Sequence, residues 1–574
     1  MVHWKNVSNI TLIFFSHLFY VNTYDVDVHL KQGKLKGTSG VTLFEGKLYF
    51  AFYGVPYAQP PIGKLRFKNP KPTKKWNKYL DARTEYHGAC AQAHIVHKHG
   101  LYGNEDCLHL NIFTPSLYKT GQKLKAVIVW IHGYAFTSSF SHIHGPDFFI
   151  DEDVIFVTVS HRLGAFGFLK LNETDQNANM GLKDIVMSLK WIQKNVKHFG
   201  GDKTNLSVMG SGSAATFLSL LMTTKSKKLF SKAIFQSGSM FSASLFQGDH
   251  NIEKYRLEEK LKIKGYRNIN EASTQDIVDA SPKIYSNSDV IDSQRPLIPF
   301  LPIIETESKF SLLTKRPEEY FSDKQDDLNN RLILIGFNSK EGISEVIPFL
   351  HYPHYLSSLA VHFKYMVPFS TRCSYNFKTS KYKEIAGMIL NGYFKDGVSV
   401  KSVEQFLQYS SDLIKYPIYD FIQRHKQIKG SKMYVYKFTY SGNLNIVKAN
   451  SISGINTKIK GAASGDEICY MLKCEPLWES YVNLNRDYNS RDRIFIKKIT
   501  ELWANFAKTG DPTPSTYKGN VTWPPMTELD DKVFNLGKVY NIIDSKKEKR
   551  MFAFWNDIYR KYYKDCGLEG HDEL

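Results

Sequence analysis

Ser211 and Ser213 flank Gly212 in Val208-Met-Gly-Ser-Gly-Ser-Ala-Ala-Thr-Phe217, where an apolar run meets a small-residue turn and then a helical stretch. Strand, sharp turn and helix are the setting of a nucleophile elbow, in which the strained turn of G-x-S-x-G lifts a serine hydroxyl above a sheet to attack an acyl carbon. The flanks have that character and the apex does not. Counted forward from Phe199-Gly-Gly-Asp202, Gly212 takes the nucleophile's place; counted back from Leu229-Phe-Ser-Lys-Ala-Ile-Phe-Gln-Ser-Gly238, Ser211 does. Neither register reads G-x-S-x-G.

Such a turn needs a sheet beneath it. Ala126-Val-Ile-Val-Trp-Ile131 and Val154-Ile-Phe-Val-Thr-Val159 are continuous apolar runs, suited to strands buried on both faces. Between the second run and the elbow, Leu182, Ile185, Val186, Leu189 and Ile192 recur at helical spacing, which predicts an amphipathic helix over 179–196. Leu206 to Met209, Ala233 to Phe235, Leu332 to Phe337 and Met433 to Phe438 read as further strands. Residues 24–60 read as short strands and turns, 345–425 as largely helical, and Ile494 to Lys508 and Phe552 to Lys564 as C-terminal helices. Strands alternating with helices predict an α/β fold with a large, mostly parallel central sheet, helices on both faces and long helical insertions.

The chain of 574 residues has no linker, repeat or low-complexity run to divide it, so one large domain over 24–565 is expected. Its net charge of +19 comes with lysines in short scattered groups, such as Lys225 to Lys228, and with no nucleic-acid-binding motif. The reading is a basic, solvated surface, with no nucleic acid as partner. Residues 1–23, with an apolar core from Ile10 to Val21, read as a signal peptide, and 566–574 as a tail ending in His571-Asp572-Glu573-Leu574, an ER-retrieval address recognised by a receptor. No other stretch is apolar for long enough to predict a transmembrane anchor. Together the ends predict the ER lumen, with secretion as the alternative. Sequons at Asn172, Asn205 and Asn520 are candidate glycosylation sites. Cys90 and Cys107 bracket a short loop whose closure in an oxidising lumen would add roughly 3 kcal/mol. Inside it, His94, His97 and His99 are read as solvated loop histidines in preference to a zinc cluster, so no metal and no cofactor is expected.

Several short segments stand in a recognisable order: Tyr53-Gly-Val-Pro-Tyr-Ala58, Leu65-Arg-Phe67, Glu105-Asp-Cys-Leu-His-Leu-Asn-Ile112, His161-Arg-Leu-Gly164, Asn179-Met-Gly-Leu182, Phe199-Gly-Gly-Asp202, Gln236-Ser-Gly238, Asn505-Phe-Ala507 and Trp523-Pro-Pro525. Over roughly residues 27–560 the chain resembles the type-B carboxylesterase/cholinesterase family of α/β-hydrolases. The resemblance implies a Cys90–Cys107 disulfide and ion pairs of Arg66 with Glu105 and of Arg162 with Asp184.

It also implies a serine, histidine and glutamate that hydrolyse esters, and these positions are degenerate here. Gly336-Phe-Asn-Ser-Lys-Glu-Gly342 offers Glu341 as the acid. Gly461-Ala-Ala-Ser-Gly-Asp-Glu467 resembles the histidine loop with Ser464 at the base's position, and no histidine occurs between His425 and His571. A serine hydroxyl cannot act as a general base near neutral pH. In the oxyanion loop, His132-Gly-Tyr-Ala-Phe136, Tyr134 replaces a glycine, so the set Gly133, Tyr134, Ala135 and Ser213 is altered, and Tyr134 is expected to be forced toward dihedrals that suit glycine. Gly210-Ser-Gly212 is also similar to the apex of neuroligin-like adhesion proteins. The expectation is a catalytically inactive carboxylesterase-like protein that binds an apolar or ester-like small molecule or a protein partner. The alternatives are an ester hydrolase using Ser211 or Ser213 with an unrecognised base, and a secreted neuroligin-like interaction protein.

Overall fold

The computed structural model describes residues 24–563 except 85–87, 94–99, 173, 243–249, 288, 290–297, 324–330, 369–378, 429, 456–458 and 528–529. The signal-like start, the ending His571 to Leu574, the histidines His94, His97 and His99, and Cys373 and Cys566 lie outside the described residues.

Among the described residues, 13 strands form one sheet. In chain order they are β1 (Val26–Leu30), β2 (Gly33–Val41), β3 (Leu48–Pro56), β4 (Leu80–Asp81), β5 (His109–Thr114), β6 (Lys125–Ile131), β7 (Ile155–Val159), β8 (Gly201–Ser211), β9 (Lys232–Gln236), β10 (Leu332–Asn338), β11 (Lys432–Phe438), β12 (Lys532–Leu536) and β13 (Tyr540–Asp544). Across the sheet the order is β1-β2-β3-β5-β7-β6-β8-β9-β10-β11-β12-β13, with β4 beside β2. From β7 to β12 the strands are parallel. Apart from the short β4, which pairs with β2 in parallel, the margins are antiparallel, and tight hairpins such as Leu30 to Gly33 can join only antiparallel neighbours.

The apolar runs read from the sequence form the middle of this sheet and are buried on both faces. Side chains alternate across a strand, so Val127, Val129 and Ile131 of β6 enter one core while Ile128 and Trp130 enter the other. Helix α1 (Met180–Asn195) lays Leu182, Ile185, Leu189 and Ile192 on the first core. A later helix, Arg491–Thr509, lays Phe495, Ile499, Trp503 and Phe506 on the second. The region read as largely helical includes the long helix Val403–His425. The last helix runs Lys546–Tyr562, starting earlier than the apolar periodicity predicts, since its first five residues, Lys546 to Arg550, are all charged and add no apolar spacing.

Arg66 pairs with Glu105 at 2.5 Å, and Arg162 with Asp184 at 2.7 Å. The Cys90–Cys107 disulfide is formed, and Cys469–Cys474, whose pairing the sequence leaves open, is a second.

Candidate functional site

β8 delivers the chain to the elbow. Its last residue, Ser211, is still in the ladder opposite Gln236 of β9. Gly212 then turns with φ 58° and ψ −121°, donates its N–H to Gln236 O at 2.8 Å, and starts helix α2 (Ser213–Leu221). The turn therefore sits at Gly212, and the register that put Ser211 there does not hold, because the Ser211 backbone belongs to the strand. The flanking glycines are required by close approach: a Cβ on Gly238 would lie 2.2 Å from Gly212 O, and one on Gly210 would lie 3.0 Å from the Ala214 carbonyl carbon. At Gly212 itself a Cβ would meet only Gly133 O, at 3.8 Å. Packing leaves room for a side chain that the sequence does not supply.

The loop His132 to Phe136 faces this turn. Tyr134 projects outward, 63% exposed, and its N–H donates to Ser138 O at 2.8 Å. The unusual dihedrals fall one and two residues later, at Ala135 (φ 50°) and Phe136 (φ 61°), which corrects the expectation that Tyr134 carries them. A tyrosine side chain escapes into solvent, and the next two residues absorb the turn. Phe136 N–H donates to Ser213 Oγ at 3.3 Å, so the Ser213 hydroxyl is engaged in holding this loop. One backbone N–H of the oxyanion set, that of Tyr134, is thus already committed to a carbonyl oxygen of the protein.

Glu341 lies just past β10 and is fully buried. Its Oε1 accepts from Ser237 Oγ at 2.7 Å and from the Asn338 N–H at 2.6 Å. The Ser464 hydroxyl lies near enough to lower the carboxyl pKa, but Oε2 makes no hydrogen bond of good geometry. Burial is the largest influence and pushes this pKa up. The fold thus brings Glu341 and Ser464, far apart in sequence, close to one another.

A second carboxyl group, Glu467, is equally buried, and its pKa is pushed up to about 8 by burial first and the charge of Glu341 second. It accepts from Asn338 Nδ2 and from Gln236 Nε2. Ser237, Asn338 and Glu467 are polar members of this site that sequence reasoning assigned no role. The signal was present, since Ser237 falls within Gln236-Ser-Gly238 and Glu467 closes the segment containing Ser464.

Histidines near the elbow are occupied elsewhere. His132 Nδ1 accepts from the Phe140 N–H at 2.8 Å, Trp130 Nε1 donates to His144 Nδ1 at 3.3 Å, and the His161 nitrogens face the carbonyls of Arg162 and His132. Burial, then the neighbouring His161 and His142, draws the His132 pKa down to about 4. That leaves a neutral ring whose lone pair is engaged with Phe140. Among the described residues no group of three potential metal ligands occurs.

Of the sequon asparagines, Asn172 and Asn520 are exposed. The Asn205 amide is bound into the fold, donating to Lys508 O at 3.2 Å and accepting from Lys232 Nζ. No described helix is long and apolar enough to cross a membrane.

A parallel-centred sheet whose middle strand turns sharply into a helix, with an acid beyond a later strand, defines an α/β-hydrolase. The Carboxylesterase family matches residues 25–555, and the chain belongs to it. It is 28% identical to Venom carboxylesterase-6 of Apis mellifera over 527 residues, 89% of this chain and 90% of the relative. To Juvenile hormone esterase of Heliothis virescens it is 28% identical over 521 residues, 88% of each. The crystal structure of juvenile hormone esterase from Manduca sexta, with OTFP covalently attached, superposes with a TM-score of 0.77 at 25% identity, over 94% of this chain and 100% of that one.

Proposed function

We propose that this carboxylesterase-family protein does not hydrolyse esters and acts instead by binding, as a resident of the ER lumen. The observation that carries the reading is Gly212: the residue at the turn between β8 and α2 has no side chain to act as a nucleophile. Ser464 beside Glu341 supports it independently, because a hydroxyl with an ordinary alcohol pKa cannot take a proton from a serine near neutral pH. In serine hydrolases loss of either nucleophile or base alone costs on the order of a million-fold in turnover, so both losses together leave only what binding can supply. Relatives named as esterases of juvenile hormone make an apolar, ester-like molecule the ligand class to try first. Localisation rests on the ending His571-Asp572-Glu573-Leu574 with the signal-like residues 1–23.

The test is turnover of short-chain aryl esters by the purified protein, beside a catalytically competent carboxylesterase. Hydrolysis no faster than about 10⁻⁵ of the comparator is expected. A rate within a hundred-fold would overturn the reading. Fluorescence microscopy of the chain with and without its last four residues tests the compartment: retention that survives the deletion contradicts the address.

A further inference from the structure

Seven lysines from separate parts of the sequence line one cleft. We infer that this cleft binds a compact anion carrying several phosphate or sulfate groups. Its volume is about 740 Å³, and its walls come from five separate parts of the chain: Asn69 and Pro70, helix α1, residues 223–228 after α2, the segment 307–315, and Tyr320. Seven of the lining residues are lysines, against a single acid, Glu307.

The inner lysines are structural. Lys183 pairs with buried Glu305 at 2.6 Å, while Leu312 and Leu313 donate their backbone N–H groups to the same carboxylate, which ties the segment 307–315 to α1. Lys227 donates to Tyr320 Oη at 3.2 Å. The rim differs. Lys190, Lys225, Lys228 and Lys309 are exposed, and none forms an ion pair among the described residues. An ordinary lysine-rich surface is convex and interspersed with acids. This one is concave, its one lining acid is Glu307, and Glu305 behind the wall is taken up by Lys183, so the four rim lysines face a shared space. A concave wall of one sign focuses its field and concentrates counter-ions.

The volume falls within the roughly 300–1,000 Å³ of small-molecule pockets, which favours a ligand of one or two sugar rings over an extended polymer. The hydroxyl of Ser226, in the same wall, suits a phosphate or sulfate oxygen, whereas that of Thr223 donates to Leu220 O at 2.8 Å. Thr223 and Thr224 follow the C-terminal end of α2, whereas Gly212 precedes its N-terminal end. Nine residues of helix separate the two sites by about 13 Å, so the cleft is distinct from the elbow and its occupancy does not depend on whether the elbow hydrolyses anything.

Isothermal titration at 0.15 M salt tests the inference with two probes, myo-inositol hexakisphosphate and a trisulfated heparin disaccharide, and with inorganic phosphate as a monovalent-site control. The protein is compared with Lys190→Glu/Lys228→Glu/Lys309→Glu in the cleft and with Lys64→Glu/Lys203→Glu/Lys538→Glu elsewhere, which changes net charge equally. All six positions are exposed, so both variants should keep the wild-type circular dichroism and Tm within a few degrees. Saturable one-to-one binding of either probe is expected, weakened roughly 30-fold or more by the cleft variant and less than about 3-fold by the control. Which probe binds more tightly distinguishes a phosphorylated from a sulfated ligand. Equal weakening by both variants would mean general surface attraction, and no saturation by either probe would mean no site. Either result overturns the inference.

Discussion

The hydroxyl of Ser237, on the turn after β9, donates a 2.7 Å hydrogen bond to Oε1 of Glu341. The carboxylate is therefore anchored on one oxygen, while the other, Oε2, is buried with no hydrogen bond of good geometry. A charged group held this way costs stability when nothing positively charged pairs with it directly. Glu341→Gln keeps the acceptor facing Ser237 and Asn338 and puts an amide donor at the bare position. It should leave Tm at pH 8 unchanged or raise it by a few degrees. A loss of more than about 2 kcal/mol in a denaturant titration would show that the charge is used.

Glu467 makes stability depend on pH. Its pKa in the folded protein is raised to about 8 from an ordinary 4.5, so the folded state holds a proton that the unfolded chain releases. This contribution is fully present below about pH 4.5 and is lost as pH rises through about 8. Chemical denaturation from pH 5 to 8.5 should therefore show declining stability. Glu467→Gln should flatten the decline and be more stable than wild type at pH 8.5, by on the order of 1 to 3 kcal/mol. Parallel profiles for the two proteins would mean that Glu467 titrates normally.

Restoring the nucleophile alone should not restore activity. A Cβ at Gly212 meets only Gly133 O at 3.8 Å, so Gly212→Ser has space, although φ 58° costs it roughly 1 to 2 kcal/mol. Ester hydrolysis by the single variant should stay at the level of wild type, because Ser464 accepts no proton. Gly212→Ser/Ser464→His should exceed the single variant by about a hundred-fold or more, with Glu341 orienting the new imidazole. Efficient turnover by Gly212→Ser alone would reveal a base elsewhere.

Strain in the loop facing the elbow sits at Ala135 and Phe136, both with positive φ. Ala135→Gly should raise stability by about 1 kcal/mol at neutral pH, as removing a Cβ from a left-handed position does. A destabilised variant would mean that the Ala135 methyl group contributes more by packing than its backbone costs.

Most of the fold was legible because its central strands are continuous apolar runs and its helices repeat at 3.6 residues, as in Ala126 to Ile131 and in Leu182, Ile185, Leu189 and Ile192. The elbow was legible only to within one residue. The flanking segments place either Gly212 or Ser211 at the turn, and the choice depends on a dihedral that composition does not encode. Tyr134 was misread for a related reason: substituting a glycine suggests strain at that residue, but backbone strain passes along a loop until it reaches residues fixed on both sides. The basic cleft was illegible, since Lys190, Lys228 and Lys309 are neighbours only after α1 and the segment 307–315 fold onto the end of α2.

The measurement closest to the central claim is covalent labelling by a fluorophosphonate, read by intact mass and peptide mapping. Excess probe for an hour at pH 7.5 should leave the wild-type mass unchanged, while Gly212→Ser/Ser464→His gains one adduct at position 212. Stoichiometric adduct on wild-type Ser211 or Ser213 would contradict the account and identify the nucleophile of a working esterase.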